Sequence, residues 1–376
     1  MTSASFSLFK GETDRKPITL KLANLRRNSK LQGRFYVTEV TDKESLLVDF
    51  SVGNPQVQYS MQISQSHSVF AIPLANKASN QGYNISSSTS QKNLTSGYYF
   101  HNTSGFLTVE HVSFLNLSTN NQEIFLGDFS NQSNYVYGYF GLGNKLSITN
   151  SFIRNLYIEG SISEPIYSLN IKDMEFSLGN SSAGVYSRHK YLDFNTNDDW
   201  AFQTIGIEIF GDTYEFIQDN NVACLRVEDY FIRGPNKILE KILSRIGDNQ
   251  TCYNENENYF CRCNNDYTEK YPYIHFMAEE FALFISPSSY VIFDEGLCQI
   301  MIAKSNTDEW VLGRPFFNEF FAVFNIEEQK VSLYTFVLPV AKYSIFFFIG
   351  LGSTFGLVIL LYAKLKNQDD YRLISG

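Results

Sequence analysis

Residues 310–334 read Trp310-Val-Leu-Gly-Arg-Pro-Phe-Phe-Asn-Glu-Phe-Phe-Ala-Val-Phe-Asn-Ile-Glu-Glu-Gln-Lys-Val-Ser-Leu-Tyr334. The first apolar residues stop at Gly313, a second apolar block runs from Phe316 to Phe321, and two apolar runs then flank the polar turn Glu327 to Lys330. Short apolar runs around a polar turn predict a buried β-hairpin.

A chain of 376 residues that is 44% hydrophobic and 16% aromatic can bury one large or two moderate cores. The formal charge of -9, with no cluster of Lys and Arg, argues against a nucleic-acid partner. His67, His101, His111, His189 and His275 are scattered singly, so no pair has the spacing of a helical metal site. No metal and no cofactor are expected. Cys252, Cys261, Cys263 and Cys298 lack the paired spacing of a zinc knuckle and fit disulfides in an oxidising compartment. Cys224 lies in an apolar run and reads as a buried core thiol.

Upstream, Leu46, Val48 and Phe50 alternate toward the turn Gly53-Asn54-Pro55, and a strand Tyr59 to Ile63 follows. Next come Ser64-Gln65-Ser66-His67-Ser68 and the apolar run Val69 to Pro73. The polar stretch Asn76 to Thr95 reads as a loop, followed by Tyr98-Tyr99-Phe100 and Gly105-Phe106-Leu107. Later, Tyr137 to Gly143 contains a second apolar-apolar-Gly strand, and Gly160 to Leu169 another strand. Trp200 to Phe216 reads as strand, turn and strand. Behind Gly234-Pro235, Ile238, Leu239, Ile242, Leu243 and Ile246 repeat at helical spacing.

Taken together and in this order, these motifs resemble the pepsin-like aspartic proteases over roughly residues 46 to 336. The resemblance implies an all-β, two-lobed β-barrel fold with a few short helices. Its implied lobes are residues 46–199 and 200–338, and the repeated apolar-apolar-Gly strands fit its internal duplication. It also implies a disulfide between Cys263 and Cys298; Cys252 with Cys261 is a separate expected pair. The Tyr98 hairpin matches the family's flap, although the flap glycines are replaced by Tyr99 and His101.

The same alignment places Ser64 and Arg226 where the family carries its two catalytic aspartates. Asn325 and Arg314 also depart from the family pattern. Aspartic proteolysis needs two carboxylates sharing one proton, so the catalytic pair is degenerate. Arg226 is a permanent cation, and the replacement predicts a basic cleft centre. A buried guanidinium needs an acidic partner; strand alternation favours Glu228 over Asp229. His67 as a base for Ser64 is chemically conceivable, but a three-residue spacing carries no geometry.

Residues 1–45 form a basic N-terminal arm, with Lys16, Lys21, Arg26, Arg27 and Lys30, similar to the family's pro-segment. Residues 343–363 are almost wholly apolar and long enough to span a bilayer as a single helix. Lys364 and Lys366 favour a cytosolic tail, 364–376, with the main domain luminal or extracellular. Within the span, Gly352 and Gly356 could bring two copies together as a homodimer. In the tail, Tyr371 and Ile374 match a tyrosine-based sorting signal of the endomembrane or lysosomal system. Sequons at Asn84, Asn93, Asn102, Asn116, Asn131, Asn180 and Asn249 fit a glycosylated luminal domain.

The functional expectation is a membrane-anchored, catalytically inactive family member that binds an extended peptide or a protein segment. The alternatives are a structural subunit of a membrane assembly and an active aspartic-type endopeptidase.

Overall fold

The computed structural model describes residues 4–7, 35–40, 43–74, 82–100, 103–115, 117–129, 138–143, 151–172, 175–179, 189–196, 199–211, 214–247, 251–255 and 258–335. These residues are mostly β-strand, with short helices at Phe152–Ile158, Asn236–Ile246, Tyr267–Lys270, Pro287–Tyr290 and Arg314–Glu319. Residues 1–336 make up one compact unit.

Strand pairing repeats between the two halves of that unit. In the first half, Val57–Ser64 runs parallel to Gly138–Gly141, which is antiparallel to Phe70–Pro73. Phe70–Pro73 in turn runs parallel to Leu117–Gly127, inside an eight-stranded sheet that ends at the edge strand Lys92–Phe100. The second half repeats the arrangement with different residues. Val222–Leu225 runs parallel to Trp310–Leu312, Trp310–Leu312 antiparallel to Ile232–Gly234, and Ile232–Gly234 parallel to Ile302–Lys304.

Each apolar-apolar-Gly strand ends in a glycine for a steric reason. A Cβ on Gly141 would lie 2.5 Å from the Val69 backbone nitrogen, and one on Gly313 would lie 2.2 Å from the Phe231 carbonyl oxygen. Both glycines therefore let a strand pass directly under the loop that follows the neighbouring strand. Those two loops carry the site described below.

The hairpin expected from residues 321–335 forms, and a six-stranded sheet takes strands from both halves of the chain around it. Phe321–Asn325 pairs with Ile166–Asn170, and Lys330–Thr335 pairs with His189–Asn195. Tyr167 and Phe324 stack with ring centroids 4.7 Å apart, and both are fully buried. Aromatic pairs of this kind add about 0.5–1.5 kcal/mol to the burial of their area. Helix Asn236–Ile246 starts after Pro235, as expected, and buries Ile238, Leu239, Ile242 and Ile246. Leu243 lies against the core but is only partly buried.

The expected loop from Asn76 to Thr95 needs correction. Asn84 caps a short 3-10 turn, Ile85–Ser87, and strand Lys92–Phe100 begins within the supposed loop. As an edge strand exposed along most of its length, Lys92–Phe100 has no apolar alternation to announce it. Among the described residues no helix is long and apolar enough to cross a membrane. The expected span 343–363 and tail 364–376, with Gly352, Gly356, Tyr371 and Ile374, lie outside the described residues.

Candidate functional site

Two loops meet at the site. The first, Ser64 to Ser68, leaves strand Val57–Ser64, and the second, Arg226 to Tyr230, leaves strand Val222–Leu225. Gln65 locks them together from a fully buried position. Its Oε1 accepts the Val227 backbone N–H at 2.9 Å, and its Nε2 donates to Tyr167 Oη at 3.1 Å. Burial pushes the Tyr167 phenol well above its ordinary value, so that it remains neutral and donates onward to the Leu142 carbonyl at 3.3 Å.

Ser64 and Arg226 leave corresponding strands, but their side chains do not meet as a pair. Arg226 turns away from the centre of the site. Its Nη1 donates to the carbonyls of Asp199 at 2.7 Å, Leu225 at 3.1 Å and Gln65 at 3.3 Å. An acidic partner was expected and one is present, but it is Asp199, at 3.8 Å, rather than Glu228. With the Arg226 side chain only 13% exposed, the carbonyl contacts carry most of its satisfaction.

Glu228 instead reaches Ser64. Its Oε1 accepts from Ser64 Oγ at 3.0 Å and from the Ser66 backbone N–H at 2.7 Å, while Oε2 accepts from the Gln65 N–H at 3.0 Å. The expectation of a basic centre is therefore overturned, because a carboxylate fills the place vacated by Arg226. Sequence reasoning assigned Glu228 to Arg226 because alternation holds along a strand. Strand Val222–Leu225 ends before residue 228, and the chain turns there.

His67 also belongs to the site. Its Nδ1 lies 2.6 Å from Ser64 Oγ and 3.0 Å from Ser66 Oγ. The Ser64 hydroxyl has one proton, and the His67 ring tautomer sets whether it goes to Glu228 or to His67 Nδ1. The imidazole packs against Phe100 and Tyr139, with centroids 5.0 and 5.3 Å away. Phe100 ends strand Lys92–Phe100, in which Tyr98 is 44% exposed and opposes Gly105. Strand Lys92–Phe100 is thus linked to the Ser64 loop through the His67 ring.

Asp229 lies beside this centre, binding Arg233 Nε at 2.9 Å and accepting the Phe231 N–H at 3.0 Å. Arg314 is buried, and its guanidinium sits 5.2 Å from the Tyr230 ring centroid. Asn325 Oδ1 accepts the N–H groups of Glu327 and Glu328 and so fixes the hairpin turn. Among the described residues no group of three His, Cys, Asp or Glu could hold a metal ion.

Both expected disulfides form, Cys252 with Cys261 and Cys263 with Cys298, and Cys224 is a buried free thiol. Desolvation raises the Cys224 thiol above its ordinary value, which fits an inert core position. Of the sequon residues, Asn84 is exposed and caps the turn at Ile85–Ser87, and Asn93 lies in strand Lys92–Phe100. Asn102, Asn116, Asn131, Asn180 and Asn249 lie outside the described residues.

Residues 67–336 match the family model described as eukaryotic aspartyl protease. Rat (Rattus norvegicus) gastricsin is 23% identical over 317 residues, covering 78% of each chain. Mouse (Mus musculus) gastricsin is 23% identical over 319 residues, again covering 78% of each. Dog (Canis lupus familiaris) pepsin B is 22% identical over 332 residues, covering 79% of this chain and 80% of its own.

Proposed function

The chain belongs to the eukaryotic aspartyl protease family, and we propose that within it this chain is a non-catalytic, membrane-anchored member that binds an extended peptide or protein segment. The observation that carries this reading is the engagement of Glu228. Acid proteolysis needs two carboxylates that share one proton and hold a water between them. Here one of the two corresponding strands presents the hydroxyl of Ser64, and the other presents a guanidinium turned toward Asp199. The Glu228 carboxylate accepts three hydrogen bonds from Ser64, Gln65 and Ser66, so those acceptor positions are closed to a water. Neither Ser64 nor Arg226 can exchange a proton with it near neutral pH.

The scaffold around this centre keeps the features that a peptide-binding cleft uses: two loops facing each other and a flap hairpin beside them. An extended ligand would pair by its backbone, as in strand addition. Anchoring by residues 343–363 would hold the domain on the luminal or extracellular side, and Tyr371 with Ile374 would sort it from the cytosol.

The test has two arms. The purified chain in detergent is incubated with a peptide library at acid pH, with and without pepstatin, and is separately isolated from its native membrane for mass spectrometry of bound peptides. The expected result is no pepstatin-sensitive cleavage together with a co-purifying peptide or protein. Pepstatin-sensitive cleavage would overturn the non-catalytic reading, and an empty cleft would favour the structural-subunit reading.

A further inference from the structure

We propose that the second half of the chain carries an internal thiol–disulfide exchange site, in which Cys261 can leave Cys252 for Cys298 and expel Cys263 as a thiolate. The proposal rests on strand register. Cys252 is directly opposite Cys261 across strands Cys252–Glu255 and Asn258–Arg262, and Cys261 is directly opposite Cys298 across Asn258–Arg262 and Leu297–Ile300. Residues directly opposite each other project to the same face of a sheet, as do residues two apart on one strand. The sulfurs of Cys252, Cys261 and Cys298 therefore project to one face, with Cys261 in the middle, and Cys263, just past the end of strand Asn258–Arg262, joins them through its bond to Cys298.

The observed bridges do not use every direct pairing. Cys298 is bonded to Cys263, the diagonal neighbour two residues beyond the one facing it. The directly facing residue, Cys261, is instead bonded to the strand on its other side. Opposed residues in an antiparallel pair have Cα atoms about 4.5–5.5 Å apart, inside the range that a disulfide spans. The register therefore brings Cys261 and Cys298 within the general reach of a bridge.

Burial gives the exchange a direction. Cys261 and Cys298 are completely buried, whereas Cys252 and Cys263 are partly exposed. An external thiolate, such as that of a glutathione-type monothiol, can reach Cys252 Sγ. It forms a mixed disulfide there and breaks the bond to Cys261, which leaves as a thiolate. The Cys261 thiolate then attacks Cys298 Sγ, forms the bond between residues 261 and 298, and releases Cys263 as the thiolate. One disulfide and one thiolate enter each step and one of each leaves, so no further oxidant or reductant is consumed. The exchange moves the negative sulfur from a fully buried position to a partly exposed one, where a thiolate is less penalised.

Only the hairpin end at Cys252 is released from its bridge. The loop closed at Cys298 stays closed, because its other end moves by two residues. Cys252 lies beside the C-terminal end of helix Asn236–Ile246, where a Cβ on Gly247 would be 3.6 Å from its sulfur. The freed hairpin therefore loosens around the end of that helix, while the partly exposed Cys263 thiol becomes available for a second exchange.

The test is disulfide mapping of the full chain made in an oxidising secretory host. Because Arg262 separates Cys261 from Cys263, trypsin places the two on different peptides. In Cys252→Ser, the expected products are a linked peptide pair containing Cys261 and Cys298 and an alkylated Cys263. Retention of the Cys263 bridge, with Cys261 as the alkylated thiol, would overturn the proposal. In the wild-type chain, limiting glutathione should label Cys252 and free Cys263 while Cys261 stays protected. Free Cys261, or simultaneous loss of both bridges, would overturn it even if the variant does not fold. Cys261→Ser should keep the Cys263–Cys298 bridge and show no exchange under the same conditions.

Discussion

Glu228 places Oε1 3.0 Å from Ser64 Oγ across 164 residues of sequence, and the two backbone N–H groups after Ser64 turn onto the same carboxylate. A side chain from one loop therefore caps the other.

Glu228→Ala should leave the Gln65 and Ser66 N–H groups without their acceptor. The expected loss is about 2–3 kcal/mol of stability, because removing a charged acceptor from partly buried donors costs more than a neutral hydrogen bond. Urea denaturation of the wild type and the variant measures it. Glu228→Gln, which keeps one carbonyl oxygen, should lose less. Equal stability of all three would mean that the cap contributes nothing.

Ser64→Asp should set a second carboxylate against Glu228. Like charges at hydrogen-bonding distance force one of the pair to retain its proton, so that folded-state pKa is raised above its unfolded value. Stability from the protonated pair is then fully present in acid and lost as pH rises through the raised value. The variant's melting temperature should fall behind the wild type's between about pH 4 and pH 7. Restoring Asp at both Ser64 and Arg226 should still give no peptidase activity, since the Glu228 side chain occupies the centre. A pepstatin-sensitive double variant would show that the loops readjust.

Gln65→Leu should remove the acceptor of the fully buried Val227 N–H, at a cost of about 1–3 kcal/mol. Hydrogen exchange should speed up at Val227 in the variant. An unchanged rate there would mean that the two loops are held together by other contacts.

His275 gives a separate pH signature. Burial lowers its pKa below the ordinary histidine value, opposed by Glu208 at 3.6 Å. A depressed folded value means that the neutral ring is the stable form, so the stability it contributes is present above the unfolded value and lost as pH falls through the folded one. His275→Gln should flatten that acid-side slope in chemical denaturation midpoints, and an unaltered slope would assign it to other groups.

Much of the fold was legible in the sequence, because apolar runs, turn residues and glycines act locally. The hairpin at 321–335, the helix behind Gly234-Pro235 and the glycine-ended strands at Gly141 and Gly313 all depend on alternation or on close backbone approach. The Cys263–Cys298 bridge is the one the family resemblance implies, and Cys252–Cys261 is the second expected pair; both form. The edge strand Lys92–Phe100 was not legible, since a strand facing water needs no apolar pattern.

The site divides in the same way. The resemblance to the pepsin-like family aligned Ser64 and Arg226 with its two aspartates and the sequence has no aspartate at either position, while the structure sets both at the ends of corresponding strands. The sequence could not decide where Arg226 and Glu228 would point, because strand alternation stops at Leu225 and side chains beyond it follow the turn. Only the meeting of loops 164 residues apart brought the carboxylate to the N–H groups of Gln65 and Ser66. Those donors would otherwise be left unpaired, and their burial, a property of the packed molecule alone, draws Glu228 across the site.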